Sequence, residues 1–268
     1  MNNILKHVIK RILIKDYPLE SSFPLVVNND HIGKQVLIDG FYERFFLENI
    51  VKNLNEKVFL DTMVDVGANI GNHTVFFSKY FKKIIAFEPQ KRTFQILKIN
   101  CQNISNIETF NYGLSLKNKT LNFQIHKMNF GNGKELKGKL NKNYFVEEVK
   151  LKKHQFAKKD KISIVKIDVE GSECDVLLSM EDQIILNKPI ILFEFNDYKT
   201  KNSIISLLNK FEYTDFYVFK KELVRNPLKK LFPKDLSRLK KIKLDSKKDF
   251  SMVITYRRDS EYKLNNIN

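Results

Sequence analysis

The chain has no tryptophan and only two cysteines among its 268 residues. Cys101 and Cys174 stand far apart and neither sits in a C-x-x-C pair, which argues against a zinc ribbon or a disulfide framework and favours a reducing compartment. No apolar run approaches the roughly 20 residues needed to span a bilayer, and no cleavable signal pattern opens the chain. The expectation is therefore a cytoplasmic protein. Internal repeats and low-complexity linkers are also missing. The hydrophobic fraction, 43%, is ordinary for a globular protein, and the length suits one elaborated domain with a sizeable core.

Acids are in short supply relative to bases. Lysine and arginine number 47 against 31 aspartates and glutamates, a net charge of +16. The excess is clustered in 150–161 and in 220–248, where Lys229-Lys230 and Lys240-Lys241 fall close together. Such a field is either a solvated surface or an attractor for acidic partners: phosphate-bearing glycans, anionic lipid or, least favoured, nucleic acid. Near the N-terminus, Ile4, Leu5, Val8, Ile9, Ile12 and Leu13 share one helical face and Lys6, Lys10 and Arg11 lie opposite. A helix over 3–15 of this kind packs on its own domain or a second subunit; peripheral membrane contact at the inner face is the alternative.

The most informative stretch is Val64-Asp65-Val66-Gly67-Ala68-Asn69-Ile70-Gly71. An apolar strand ends in an acid, crosses a glycine turn and enters a helix-like pattern, which is how an α/β sheet grips a nucleotide. The second glycine of G-x-G-x-x-G, which admits a pyrophosphate, is missing. A second strand then ends at Phe87-Glu88-Pro89, about where a carboxylate meets a ribose diol. Strand, glycines and acid together point to an adenosine ligand without phosphates, and S-adenosylmethionine fits. Asp65, Glu88, Asp168 and Glu194 all fall at expected strand ends. Gathered in one cleft they would repel unless a cationic ligand or hydrogen bonds compensated, and a sulfonium bearing an ammonium group supplies such compensation.

Three segments resemble the FkbM-type family of S-adenosylmethionine-dependent methyltransferases: the glycine turn with Phe87-Glu88-Pro89, then Val165-Lys166-Ile167-Asp168-Val169-Glu170-Gly171-Ser172-Glu173, then Pro189-Ile190-Ile191-Leu192-Phe193-Glu194. The resemblance spans about 40–196, and its second segment is the most specific. It implies a Rossmann-like class I methyltransferase fold, a mostly parallel doubly wound sheet with helices on both faces, and O-methylation of a sugar, glycan or natural product. It also places the adenine edge at the end of the third strand, where this chain has Asn111 rather than an acid.

Roles follow from chemistry. Gly67 and Gly71 let backbone approach the cofactor, Asn69 meets its amino-acid moiety, Asp65 orients the loop or the ammonium, and Glu88 takes the ribose hydroxyls. The methyl donor is already activated, so alignment supplies most of the rate. A hydroxyl acceptor still has to lose a proton, and Asp168 is the first candidate for general base. Glu170, two positions on, shares its face if the strand continues; it assists, binds sugar hydroxyls or pairs with Lys166. Glu194 is a further acid for the same cleft. These carboxylates suit Mg²⁺, but no metal is expected. His73 and His154 are weaker catalytic candidates, and Phe41-Tyr42 with Phe45-Phe46 reads as packing.

Other classes fit less well. A nicotinamide oxidoreductase would want the missing glycine. A nucleic-acid methyltransferase would want N-P-P-[YF], D-P-P-Y or a Pro-Cys nucleophile, none of which is present. A cofactor-binding protein without catalysis would not need every strand-end acid.

The expected layout is a helical approach segment over 1–55, with a turn-rich stretch at 17–36 and a helix at 42–54, followed by a methyltransferase domain over 56–268. Its strands fall at 59–66, 84–88, 107–112, 162–168, 190–195, 215–219 and 252–256. Helices occupy 71–81, 91–101, 173–186 and 204–211. A flap or hairpin insertion occupies 114–161 and a basic insertion 220–248.

Overall fold

The computed structural model describes residues 31–59, 61–127, 129–195, 200–221, 237–244 and 249–265. The amphipathic 3–15 segment and most of the basic 220–248 segment lie outside them.

Among the described residues three helices come first, α1 (His31–Asp39), α2 (Arg44–Asn53) and α3 (Glu56–Phe59). Then follow β1 (Thr62–Val66), α4 (Asn72–Phe77), β2 (Lys83–Phe87), α5 (Lys91–Cys101) and β3 (Ile107–Phe110). Four strands belong to a separate unit: β4 (Gly113–Leu114), β5 (Lys119–His126), β6 (Asn129–Glu135) and β7 (Tyr144–Lys152). The chain returns through β8 (Ile162–Ile167), α6 (Glu173–Ser179), α7 (Glu181–Asn187), β9 (Ile190–Phe195) and α8 (Lys201–Lys210), and closes with β10 (Asp215–Lys221), β11 (Ser237–Ile242) and β12 (Phe250–Tyr256).

The main sheet has eight strands in the order β11-β10-β12-β9-β8-β1-β2-β3. Strands β3, β2, β1, β8 and β9 run parallel; β12 inserts antiparallel between β9 and β10, and β11 adds an antiparallel edge. This is the Rossmann-like, doubly wound arrangement expected. Its strands read as nearly continuous apolar runs because both faces are covered. Val64, Val66, Ile85, Val165, Ile167 and Phe193 face one layer with α6, α7 and α8. Met63, Ile84, Ile164 and Leu192 face the other, under α2 and α4. Strand order reverses at β1, between β2 and β8, so a crevice opens beyond the carboxyl ends there.

Three expectations need correction. The stretch read as turn-rich to residue 36 is helical from His31. The helix expected over 173–186 is two, broken at Met180 (φ −106°, ψ 9°). The 114–161 insertion is more than a hairpin: β4, β7, β5 and β6 form a sheet of their own. That sheet is tied to both rims of the crevice. On one side Arg92 of α5 lies over the Phe145 ring at 4.7 Å; on the other, Ser115 Oγ and Lys119 Nζ donate to Asp175 Oδ2 at 2.9 and 3.0 Å.

Candidate active site

A cleft opens at the reversal point. Gly67, Asn69 and Glu88 line it beyond β1 and β2, Asp168, Val169 and Glu170 beyond β8, and Phe123, Gly133 and Leu151 form the wall given by the second sheet. Asp65, Gly71, Asn111 and Glu194 are not among the lining residues.

The two glycines of the turn serve the protein before any ligand. Both have positive φ, +79° at Gly67 and +89° at Gly71. A Cβ at Gly67 would sit 1.8 Å from the Asp168 carbonyl oxygen, and one at Gly71 would sit 2.7 Å from Leu97 Cδ1. The first glycine therefore lets the chains leaving β1 and β8 cross closely; the second lets the turn pack on α5. Between them Asn69 is also left-handed (φ 53°); its Oδ1 accepts the Ile70 N–H at 2.7 Å and closes the turn.

Glu88 is 4% exposed. Its Oε2 accepts the Asn69 N–H at 3.0 Å and its Oε1 the Gln90 N–H at 2.9 Å. Burial drives its pKa up to about 7, and these two backbone donors offset that only in part. A carboxylate has about four acceptor positions, so two remain for a diol.

Asp65 is fully buried, paired in register with Lys166 of β8. Its Oδ1 accepts from Lys166 Nζ at 3.0 Å and its Oδ2 from Thr74 Oγ1 at 2.6 Å. Burial alone would raise its pKa, but the Lys166 and His73 charges and these hydrogen bonds leave it lowered. Lys166 Nζ also donates to the Gly67 carbonyl at 3.1 Å and stands 3.4 Å from Asp168 Oδ2. Burial pulls the ammonium down, yet the two aspartates hold it above its ordinary range. A cationic ligand is expected to relieve the repulsion among the strand-end acids; for Asp65 and Asp168 the fold supplies the cation itself, and Lys166 pairs with these two rather than with Glu170.

Nor does β8 continue far enough for Asp168 and Glu170 to share a face. It ends at Ile167, and Glu170 (φ 51°) and Gly171 (φ 97°) turn the chain into α6. Glu170 is exposed, whereas Asp168 and Glu194 are half-buried. Asn111 is occupied elsewhere: its Nδ2 donates to the carbonyls of Glu88 at 2.9 Å and Pro89 at 3.3 Å. His73 lies 3.5 Å from Glu43 Oε2, and His154 meets Tyr112 OH at 2.8 Å within a cluster that includes Phe87, Phe110 and Phe156. Neither lines the cleft. Among the described residues, no group of three or more His, Cys, Asp or Glu side chains is arranged to hold a metal ion.

One residue read as packing has another setting. Phe41 does pack, edge-on to Phe76 at 5.3 Å. Tyr42 is fastened to the start of α4, its N–H donating to Asn72 Oδ1 at 2.9 Å and its carbonyl accepting from Asn72 Nδ2 at 3.0 Å. Burial and then the charges of Glu43, Asp168 and Glu194 push its phenol up to about 12. The phenol thus lies within electrostatic range of two proposed catalytic acids. Nothing local in the sequence signals this, because it depends on α1 and α2 folding back over the sheet.

The chemistry of the cleft fits an S-adenosyl cofactor. A buried carboxylate with acceptor positions to spare lines it at Glu88, apolar side chains form a wall, and Asp168 and Glu170 line it beyond β8. Fold and cleft together define a class I methyltransferase, an enzyme that uses S-adenosylmethionine. More particularly, the chain belongs to the FkbM methyltransferase family: the profile described as Methyltransferase FkbM domain matches residues 65–219. A curated relative, Methyltransferase 1 of Beauveria bassiana (strain ARSEF 2860), is 23% identical over 64% of this chain and 75% of its own length. Among solved structures, the FkbM methyltransferase of Methylobacillus flagellatus KT is 15% identical with a TM-score of 0.43, over 95% of this chain and 60% of that one. A Streptococcus mutans protein described as a methyltransferase, solved with SAH, is 13% identical with a TM-score of 0.38, over 75% of this chain and 92% of that one. None of these likenesses bears on the acceptor or on the role of any residue. Among the described residues no helix is long and apolar enough to cross a membrane.

Proposed function

We propose that this methyltransferase methylates a hydroxyl group, that of a sugar in a cell-surface glycan or in its nucleotide- or lipid-linked precursor. The observation that carries the reading is the Asp168 carboxylate, half-buried on the cleft wall and steadied by Lys166 Nζ at 3.4 Å. When bound, S-adenosylmethionine supplies an activated methyl group. What remains for the protein is to align the acceptor and take its proton.

Glu88 holds the ribose hydroxyls, the turn through Asn69 borders the amino-acid end, and Asp168 accepts the proton of the acceptor hydroxyl. We assign Glu194 and Tyr42, which lie outside the lining of the cofactor cleft, to contacts with the sugar beyond it. A phosphate or pyrophosphate, if the acceptor has one, extends away toward the exposed lysines of the insertion, such as Lys150, Lys152 and Lys153. The sugar acceptor rests on the resemblance to the FkbM-type family as a whole; another small molecule or natural product is the alternative.

The test is transfer of labelled methyl groups to free, nucleotide-linked and lipid-linked sugars, with the product located by NMR. A methyl ether is expected, and Asp168→Asn should lower kcat by about 10²–10⁴-fold while leaving S-adenosylhomocysteine affinity nearly unchanged. A methyl group on nitrogen or carbon, or an Asp168→Asn enzyme as fast as wild type, would sink the reading.

A further inference from the structure

One polar atom in the cleft is left unsatisfied by the protein. Gln90 follows the Glu88-Pro89 turn, is 6% exposed and lines the cleft, yet its Oε1 has no hydrogen-bond partner among the described residues. Buried amide oxygens are nearly always paired, so this one marks a place where a donor arrives from outside the chain. The second sheet confines it. Strand β6 runs so close that a Cβ at Gly133 would come within 2.8 Å of Gln90 Cδ and 2.9 Å of both Nε2 and Oε1. Glycine is what allows the strand to lie there, and the strand in turn limits where the amide can go.

The surroundings suit a flat ring. Leu114, Phe123 and Leu151 line the same cleft, and Leu151 lies with Pro89, the residue between Glu88 and Gln90, against Gly113. Asn111, where the family resemblance puts the adenine contact, has its Nδ2 committed to the Glu88 and Pro89 carbonyls and is not among the residues lining the cleft. A carboxamide presents an acceptor and a donor side by side. That pair matches the exocyclic amine and N7 of adenine, and it mismatches hypoxanthine, whose carbonyl oxygen replaces the amine.

We propose that Gln90 reads the adenine of the cofactor, its Oε1 accepting from the exocyclic amine and its Nε2 donating to N7, with Gly133 of the second sheet holding the amide in place. This rests on the methyltransferase reading of the cleft. It makes the insertion sheet part of the cofactor site and gives the enzyme a means of rejecting a deaminated cofactor.

The experiment is calorimetric titration of S-adenosylhomocysteine and S-inosylhomocysteine into wild type, Gln90→Leu and Gly133→Ala. Wild type should prefer the adenine ligand by roughly tenfold to a hundredfold. Gln90→Leu should lose that preference, its two affinities becoming level. Gly133→Ala, which displaces the amide without removing it, should lose the preference as well. Melting of the unliganded proteins adds a readout independent of ligand: Gln90→Leu, which removes an unsatisfied buried oxygen, should melt no lower than wild type. A Gln90→Leu protein that keeps the wild-type preference, or that melts well below wild type because the amide has an internal partner, overturns the assignment. So does a wild type that binds both ligands equally. A folded wild type that binds neither ligand strikes instead at the cofactor reading itself.

Discussion

Asp65 and Glu88 stand at the ends of neighbouring strands, both shut away from water, and their pKa values move in opposite directions. Asp65 is held low by a lysine in register with it on the next strand and by a threonine from the helix that follows. Glu88 has only backbone N–H donors and is driven up to about 7. The difference is countercharge, not burial. A carboxylate whose partners are all in the chain is finished when the chain folds, and it works as a brace. One that is buried with acceptor positions to spare is completed by something that binds. Position at a strand end cannot separate the two cases; the partners do.

The largest test of this contrast is Lys166→Met. Removing the ammonium leaves Asp65 buried and uncompensated, with an expected loss of about 3–5 kcal/mol in urea denaturation. Adding Asp65→Asn in the same chain should restore the larger part. A single variant as stable as wild type would mean that Lys166 is no brace.

Glu88→Gln tests the other half. The folded pKa of Glu88 lies above its unfolded value, so the native state binds the extra proton, and stability falls as pH rises from about 4.5 to about 7. The expected fall is about 3 kcal/mol, and the difference between wild type and variant across that window isolates it. A bound diol donates to the ionised form, so S-adenosylhomocysteine affinity should climb with pH up to about 7 in wild type and stay flat in the variant. Asp65 has the opposite sign: its lowered pKa gives stability that is present above the ordinary aspartate range and lost as pH falls through the folded value.

A smaller effect belongs to Thr74→Val. It removes one charge-assisted hydrogen bond to Asp65 and should cost about 1.5–3 kcal/mol, read from the denaturation midpoint. The least is expected from Arg44→Ala. The Arg44–Glu48 pair is 2.7 Å long, shorter than the Lys166–Asp65 contact, but both side chains are about two-fifths exposed. Its loss should move stability by no more than about 0.5 kcal/mol. A larger change would show that distance, not burial with countercharge, sets the worth of these pairs.

Much of the scaffold was legible before the structure. The helix over Lys91–Cys101 and the strand over Ile190–Phe195 fall where apolar periodicity puts them, because each packs an unbroken stripe or run against the core. The helices α1 and α3 and the strand β11 were not anticipated. Each is short, and it is contact with the rest of the molecule, as of Val58 against the sheet, that holds such an element. The insertion was legible as a flap or hairpin, but not its pairing into a sheet of four strands, since partners such as Thr120 with Lys150 or Gln124 with Val146 lie far apart in sequence. At the site, Asp168 and Glu88 were legible as acids beyond apolar strands. The closeness of Tyr42 to Asp168, and of Gly133 to Gln90, depends on segments folding back from distant parts of the chain.

The sequence by itself determined the alternation of the central parallel strands with helices, the glycine turn and the acids after apolar runs, because each is a local pattern that backbone geometry and burial read directly. Tertiary structure decided what those residues are for. The same turn glycine that reads as room for a ligand proves to be room for the Asp168 carbonyl, and Lys166, one more lysine in a basic chain, becomes the cation between two aspartates. The physical reason is that charge compensation and close approach are properties of neighbours in space, and here those neighbours lie about a hundred residues apart along the chain.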